Sequence, residues 1–265
     1  MTRAAEAAGT VQPVVSQRVK TLEAALGDRL LDRTSRFVRL TDFGRHFLPR
    51  ARDLLAAHDA ALAPASNHDA PVSLAMSDHT LGASFDMVLS QLKTALPART
   101  PIRLIIGQSA EARSLYDRGE VDLAIVRREG KRGAGEVLGE DPVHWWAASG
   151  FMLDGGPLPL VALPEPCGVR TSAIQTLERA SISWREAFVG GSCLALTTAV
   201  RAGLGVAPLG GIIGAGMQGC VVLRDLPQPR SSQIVLLART PSPVLATAAR
   251  ALASSVRMAL RRSAQ

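Results

Sequence analysis

A short segment near the start of the chain carries side chains that can read nucleic acid. Apolar residues recur there at spacings of four, three and four, which predicts a helix that buries one stripe: Val15, Val19, Leu22 and Leu26. The opposite face carries polar and basic donors: Gln12, Ser16, Gln17, Arg18 and Lys20. In a major groove, Arg can pair with guanine and Gln with adenine through two hydrogen bonds. An ordinary solvated helix face has the same spacing, so the pattern alone leaves both interpretations open.

Three arginines in the next segment could hold a polyanion. Arg33, Arg36 and Arg39 lie around a polar Thr34-Ser35 tip between two short apolar stretches, which predicts a β-ribbon wing. Such arginines contact phosphates or the minor groove and supply affinity rather than sequence choice. Arg33 could instead pair with an acidic residue at the base of the domain.

The elements that must position these residues are two helices joined by a tight turn. An Ala-rich helix over residues 2–8 is expected to end at Gly9, and Pro13 suits the first turn of the second helix, which Gly27 ends. This pairing predicts a helix-turn-helix.

Length and charge agree with a nucleic-acid partner without proving one. A chain of 265 residues is long for one domain, which favours a small unit and a larger one. Its 30 Lys and Arg against 23 Asp and Glu leave a net charge of +7, which mildly favours a polyanionic partner.

Cysteine usage and the N-terminus indicate the compartment. Cys167, Cys193 and Cys220 are widely spaced, with no adjacent His to complete a metal set, and they fit a reducing cytosol. No signal peptide or membrane-spanning apolar run is recognisable. We therefore expect a cytoplasmic protein without metal or cofactor.

A long helix should follow the wing. Thr41 can cap it, and Leu48, Leu55 and Leu62 fall seven residues apart, as in a coiled-coil seam where two copies pair. His58 on this seam is expected to be a polar interface residue. The helix is predicted over 41–63 and a linker with two prolines over 64–71.

The rest of the chain alternates short apolar runs with helical stretches, an α/β pattern. Strands are predicted at 72–76, 102–107, 121–126, 158–163 and 234–238. Helices are predicted at 81–96, 109–118, 171–179, 192–202 and 243–261. Trp145-Trp146 should lie in a strand at a crossover between lobes, with at least one ring in the core.

Several motifs closely resemble those of LysR-type transcriptional regulators. In the first part they are Arg3-Ala4-Ala5-Glu6, Gln12-Pro13-x-x-Ser16-Gln17-Arg18-Val19-Lys20-x-Leu22-Glu23-x-x-Leu26-Gly27, Leu30-Leu31-x-Arg33-Thr34 and Leu40-Thr41-x-x-Gly44. In the second part they are Gly119-Glu120-Val121-Asp122-Leu123-Ala124-Ile125 and Ala199-Val200-Arg201-Ala202-Gly203-Leu204-Gly205-Val206.

The resemblance implies a fold and a function. A partial winged helix-turn-helix would occupy residues 1–40, with Gln12, Pro13, Ser16, Gln17, Arg18, Lys20 and the wing arginines on double-stranded DNA. A two-lobed, periplasmic-binding-protein-like effector domain would occupy 72–265. Lobe I would cover about 72–145 and 222–265, and lobe II about 146–221. Members assemble as homodimers or homotetramers.

The resemblance also implies an effector site between the lobes. It places ligand contacts at Ser77, Gln108 and Arg127, and the loops that should converge there add Asp78, His79, Ser109, Gly190, Gly191 and Ser192. An arginine in the cleft suits a carboxylate, so a small organic anion or an amino acid is expected. Arg127 could instead form a hinge salt bridge, and Asp78 would oppose an anion. Neighbours in sequence rarely pair a base with a nucleophile, so Ser77, Asp78 and His79 do not indicate an enzyme.

Two departures from the family pattern concern the partial winged helix-turn-helix over residues 1–40. Members usually carry another helix before the position of Thr2, and Val11 stands where a small polar residue is common. We therefore expect the apolar faces of residues 4–8 and 15–26 to be exposed. A misplaced start codon, a truncation or a true loss of DNA binding would each explain the missing helix. The alternative function is a DNA-silent solute-binding or sensor module.

Overall fold

The computed structural model describes residues 5, 9–33, 37–62, 71–82, 84–128, 133–240 and 242–263. The chain forms two compact units, Met1–Ala63 and Pro64–Gln265, which are treated separately. Within the described residues, no helix combines the length and apolarity needed to cross a lipid bilayer.

The first helix of unit 1, α1, spans Gln12–Leu26 and begins with Pro13 in its first turn. It ends at Gly27, whose left-handed backbone (φ 75°) directs its N–H to the Glu23 carbonyl at 3.0 Å. No residue of α1 is fully buried: Val15, Val19 and Leu26 are half-buried and Leu22 is 41% exposed, as expected for an exposed apolar face over 15–26 and not for a buried stripe. The described part of this unit presents too little apolar surface to cover that stripe. Of the helix expected over 2–8, only Ala5 lies within the described residues.

A two-stranded antiparallel ribbon follows, formed by β1 (Leu31–Arg33) and β2 (Val38–Leu40). Its tip, residues 34–36, lies outside the described residues. Glu23 holds the ribbon to α1, because its Oε1 accepts hydrogen bonds from the backbone N–H groups of Leu30 (2.8 Å) and Leu31 (3.0 Å).

The long helix α2 spans Asp42–Leu62. Thr41 caps it by accepting a hydrogen bond from the N–H of Gly44 at 2.9 Å. A Cβ at Gly44 would overlap the backbone carbonyl of Leu30, so only glycine allows this close approach. On the predicted seam, Leu55 is 62% exposed and Leu48 is half-buried, while the side chain of Leu62 lies outside the described residues.

In unit 2, lobe I is built on a five-stranded sheet with the order β4-β3-β5-β12-β6. The strands are β3 (Val72–Ser77), β4 (Ile102–Gly107), β5 (Leu123–Arg128), β6 (Glu136–Asp141) and β12 (Ser232–Ala238). Strands β4, β3 and β5 are parallel, and β12 runs antiparallel to β5 and β6. Helices α3 (Phe85–Ala95), α4 (Ser109–Arg118) and α8 (Pro243–Ser263) accompany it.

The core of lobe I explains why its strands read as uninterrupted apolar runs. Leu74 and Met76 pack in one cluster with residues of α3 and α8, and Ala75 packs in another cluster with residues of α4. Both faces of β3 are therefore covered, and every position along the strand favours an apolar side chain.

Lobe II contains two smaller sheets, β10-β7-β11 and β8-β9, joined by a bridge between Leu160 and Val206. The strands are β7 (Val143–Ala148), β8 (Leu158–Ala162), β9 (Trp184–Val189), β10 (Ala207–Gly210) and β11 (Cys220–Val222). The helices are α5 (Gly168–Arg179), α6 (Cys193–Arg201) and α7 (Gly211–Gly214). Trp145 is fully buried, whereas Trp146 packs partly buried at the edge of another cluster.

The chain crosses from lobe I to lobe II at Pro142, between β6 and β7. The boundary expected near 145 thus falls inside β7, a strand that pairs with β10 and β11 of lobe II. On the return, Leu223 and Leu226 still pack in the lobe II core, so this lobe extends beyond 221. Trp145 is fully buried in lobe II, and its Nε1–H donates to the Pro227 carbonyl at 2.9 Å, which joins the returning segment to this lobe.

Candidate functional site

The exposed face of α1 presents most of the predicted DNA-contacting residues. Gln12, Pro13, Gln17, Arg18 and Lys20 are exposed, and Ser16 is half-buried and accepts a long hydrogen bond (3.4 Å) from the Gln12 amide. A helix face rich in donors and free of acidic residues can meet phosphates and base edges without repulsion.

On the ribbon, Arg39 is exposed, and its guanidinium lies 4.6 Å from the centroid of the Phe37 ring. This stacking restrains the arginine without neutralising its charge. The side chain of Arg33 and the whole of Arg36 lie outside the described residues.

A cavity of about 470 Å³ lies between the two lobes. Lobe I contributes residues that follow β3 and β4 and the last two residues of β5, and lobe II contributes residues at the entrance to α5 and in its first turn. The lining residues are His79, Gln108, Ser109, Ala110, Arg113, Arg127, Arg128, Pro166, Cys167, Gly168, Val169 and Thr171. Of the predicted effector residues, the fold therefore brings His79, Gln108, Ser109 and Arg127 to one cavity.

Ser77 lies beneath the residues that line the cavity and is not one of them. It is fully buried, and its Oγ accepts a hydrogen bond from Ser109 Oγ at 2.9 Å. Ser109 Oγ in turn accepts the backbone N–H of Arg127 at 3.1 Å. These bonds fix the carboxyl ends of β3, β4 and β5 relative to one another.

Two helix N-termini open onto the cavity. The first intrahelical bonds run from Ala112 N to the Gln108 carbonyl and from Thr171 N to the Cys167 carbonyl, both at 2.9 Å. The preceding N–H groups of α4 and α5 therefore have no acceptor within their helices. Free N–H groups and the positive ends of two helix dipoles favour an anion in this space.

Arg127 lines the cavity; its two terminal guanidinium nitrogens are paired, while its buried Nε has no partner among the described residues. It forms a buried salt bridge with the Asp141 carboxylate and donates to Ser232 Oγ at 2.7 Å. Asp141 also accepts the backbone N–H of Ile212 at 3.1 Å, so the pair links lobe I to the start of α7. A salt bridge at this place is compatible with the alternative role that the sequence left open for Arg127, and its position in the cavity lining is compatible with the effector contact.

Arg113 is a cavity cation that the sequence prediction missed. It is half-buried and has no hydrogen-bond or salt-bridge partner among the described residues. The available signal was its spacing, because residues 109 and 113 lie one turn apart on the same face of α4. Arg128, in contrast, is held by the Gln233 side chain at 2.9 Å and the Gly133 carbonyl at 2.8 Å.

Gln108 joins the two lobes across the cavity. Its amide Nε2 donates to the Pro164 carbonyl at 3.2 Å. Its Oε1 is buried and has no partner among the described residues, so it can accept a hydrogen bond from a bound molecule.

The remaining predicted residues take other positions. The Asp78 carboxylate accepts the backbone N–H of Cys193 at the start of α6 and lines a separate cavity. Ser192 caps α6 by accepting Ala195 N at 3.2 Å. Gly190, Gly191 and Ser192 do not line the 470 Å³ cavity. Burial, assisted by the charge of Arg127, lowers the pKa of His79 to about 3, so its imidazole is neutral.

Comparison with known proteins matches both parts of the chain. The family description "LysR substrate binding domain" matches residues 67–261, and "Bacterial regulatory helix-turn-helix protein, lysR family" matches residues 1–45. The transcriptional regulator PecT of Dickeya dadantii is 30% identical over 206 residues, which cover 77% of this chain and 65% of PecT. The matched segment thus spans slightly less than two thirds of PecT.

Solved structures share the fold. Full-length LysG of Corynebacterium glutamicum with bound effector Arg has a TM-score of 0.65 at 23% identity, covering 96% of this chain and 91% of LysG. Full-length OxyR of Pseudomonas aeruginosa has a TM-score of 0.55 at 22% identity, covering 97% and 91%. With both the helix-turn-helix and the substrate-binding domain matched, the chain belongs to the LysR family of bacterial regulatory proteins.

Proposed function

We propose that this protein is a DNA-binding transcriptional regulator whose activity is modulated by a small anion, a carboxylate or an amino acid, bound between its two lobes. The observation that carries the proposal is the exposed donor-rich face of α1, within the residues matched as a LysR-family helix-turn-helix. That match favours a regulator over a DNA-silent sensor. A protein that binds promoter DNA would act in the cytoplasm.

The anionic effector is supported by the cavity itself. A carboxylate there would accept hydrogen bonds from the N-terminal N–H groups of α4 and α5 and pair with Arg113. An α-amino group on the same molecule could donate to the unpartnered Oε1 of Gln108. LysG, a structural relative, holds the effector Arg.

Assembly through α2 completes the proposal. Leu54 and Leu55 are 71% and 62% exposed on this helix, which is unusual for leucines of a helix without a partner. A second copy that pairs along the seam of Leu48, Leu55 and Leu62 would cover them and place two heads on one DNA site.

Catalysis is not part of the proposal. Ser77 Oγ bonds to Ser109, and both ring nitrogens of His79 face thiols, so this serine and histidine do not form a nucleophile–base pair. PecT, the relative named above, is a transcriptional regulator.

DNA binding is tested by fluorescence anisotropy of the full chain with DNA from upstream of its own gene. Arg18→Ala should weaken binding at least about tenfold, the lower part of the range for one lost base contact. Arg224→Ala removes an equal charge from an exposed position in unit 2 and should leave the affinity unchanged. Equal losses in the two variants would indicate general electrostatics rather than an α1 interface.

Effector binding is tested by thermal unfolding with a panel of carboxylates and amino acids. A ligand that stabilises the wild-type protein should lose its effect in Arg113→Ala. Arg118→Ala provides the matched control, because Arg118 lies on the same helix but pairs with Glu120 in solvent. A ligand shift that survives Arg113→Ala would remove this residue from the site.

A further inference from the structure

The charges of the cavity between the lobes are unbalanced. Arg113, Arg127 and Arg128 line it, and none of the described lining residues is acidic. Asp141 neutralises Arg127, whereas the hydrogen bonds of Arg128 go to neutral acceptors, and Arg113 has no partner among the described residues. His79 adds no charge, because its pKa is lowered to about 3. Two positive charges of the described lining are therefore left for a bound molecule to balance.

The attraction for anions comes from both lobes. Lobe I contributes Arg113 and the N-terminus of α4, and lobe II contributes the N-terminus of α5, where Gly168 is exposed in the lining. Each of these N-termini has N–H groups without an acceptor in its own helix. One carboxylate can occupy only one of the two positions, so a molecule with a carboxylate at each end would use both.

Gln108 presents a buried acceptor to this cavity. The orientation of its amide is fixed, because the Pro164 carbonyl can only accept a hydrogen bond and therefore takes one from Nε2 at 3.2 Å. Oε1 is left buried, with no partner among the described residues. Burying an acceptor without a donor costs free energy, so a bound molecule should supply the donor. An ionised carboxylate has no proton to donate, so the donor must be another group of the ligand.

Charge decides which donor fits. An ammonium group would lie among the arginines, and no described lining residue carries a carboxylate to pair with it. A hydroxyl group donates the same hydrogen bond without adding a charge, and its oxygen can also accept one. The buried Nε–H of Arg127 has no acceptor among the described residues, so the ligand can also satisfy a donor of the protein. A hydroxyl therefore suits this lining better than an amine.

We propose that the ligand of this cavity is a dicarboxylate that carries a hydroxyl group, with one carboxylate at each lobe and the hydroxyl on Gln108. This ligand class rests on the proposed function, because it uses the anion site between the lobes, and it narrows the carboxylates and amino acids to one kind. Since the two carboxylates meet different lobes, the bound molecule would join the lobes to each other.

The test is isothermal titration calorimetry of the full chain with two matched series of acids. The four-carbon series is succinate, malate and aspartate, and the five-carbon series is glutarate, 2-hydroxyglutarate and glutamate. In at least one series the hydroxy acid should bind about two- to tenfold tighter than the unsubstituted acid, the range for one neutral hydrogen bond, and tighter than the amino acid. Each monoamide of that hydroxy acid should bind at least about tenfold more weakly, because one charge-assisted contact is lost.

A variant of Gln108 tests the position of the hydroxyl. Gln108→Met keeps a side chain of similar length but removes the acceptor, so it should bind the hydroxy acid and the unsubstituted acid with equal affinity. Arg118→Ala is the control and should keep the wild-type preference, because Arg118 pairs with Glu120 in solvent on the same helix. Near-UV circular dichroism checks the fold of Gln108→Met.

The possible failures are distinguishable. No preference for the hydroxy acid in wild type, or an unchanged preference in folded Gln108→Met, would overturn the hydroxyl contact. Equal binding of a monoamide, or tighter binding of a monocarboxylate or an amino acid than of both hydroxy acids, would overturn the dicarboxylate while the proposed anion site stands. Absence of binding by every acid in both series and in the thermal panel would overturn the ligand class together with the proposed anion site.

Discussion

Replacing Arg127 with methionine should lower the free energy of unfolding of unit 2. Its effect on the affinity for a ligand should be much smaller. The Arg127 and Asp141 side chains are 3% and 0% exposed, and the guanidinium also donates to Ser232. Methionine fills similar volume but leaves the Asp141 carboxylate without its counter-ion in a site closed to water. Asp141 would then have to be protonated or rehydrated, and either response costs free energy of folding.

The magnitude follows from this burial. Removing one partner of a buried ion pair costs about 3–5 kcal/mol. For a domain of this size each kcal/mol corresponds to about 2–4 °C, so Tm should fall by roughly 6–20 °C. The solvent-exposed pair Arg118–Glu120 provides the control, and Arg118→Met should leave Tm unchanged.

The assay is urea unfolding followed by circular dichroism. Adding Asp141→Leu to Arg127→Met should recover part of the loss, because no unpaired charge remains. Recovery should be incomplete, since the N–H of Ile212 loses its acceptor. A loss below about 1 kcal/mol, the value of an exposed pair, would refute a buried structural salt bridge. Loss of ligand binding without loss of stability would instead make Arg127 an effector contact.

Three further predictions test other parts of the structure. The pKa of His79 in the folded protein, about 3, lies below its ordinary value of 6.5, so its contribution to the free energy of unfolding is complete above pH 6.5 and is lost as the pH falls. By pH 5 about 2 kcal/mol should be lost. In urea unfolding at a series of pH values, the free energy of unfolding of His79→Gln should depend less on pH than that of the wild-type protein, and equal dependence would contradict this prediction. Gly44→Ala should cost about 1–3 kcal/mol in thermal unfolding, because its Cβ meets the Leu30 carbonyl; an unchanged Tm would exclude that contact. Leu55→Glu should reduce the assembly to monomers in sedimentation velocity, and retention of the wild-type mass would remove Leu55 from the interface.

The longer helices and four of the five lobe I strands could be predicted because their signals are local, whereas the lobe I strand β6 was not predicted. The run beginning at Val72 is apolar on both faces of a covered strand, and Gly27 ends α1 through its left-handed backbone. Strand β9 was not predicted. It is an edge strand whose Trp184, Arg185 and Glu186 lie in partly exposed surroundings, so its residues carry little alternation of apolar and polar character.

Partnerships between distant residues could not be predicted in the same way. Nothing in the sequence near Arg127 indicates that Asp141 neutralises it, because the pairing depends on the crossover after β6. His79 meets Cys167 and Cys193 from 88 and 114 residues away. Three of the four segments predicted from the sequence therefore line the cavity, and the segment at 190–192 does not. The pairing of Arg127 with Asp141, and the lack of a partner for Arg113 among the described residues, required the fold.

We propose that a small anion between the lobes modulates DNA binding by the helix-turn-helix. The most direct measurement is anisotropy with the upstream DNA, with and without a carboxylate that stabilises the protein, in wild type and Arg113→Ala. The Kd of the wild-type protein should change when the ligand is present, Arg113→Ala should abolish this change, and both proteins should still bind DNA. A wild-type Kd that stays the same at saturating ligand, or no DNA binding by the full chain, would contradict it.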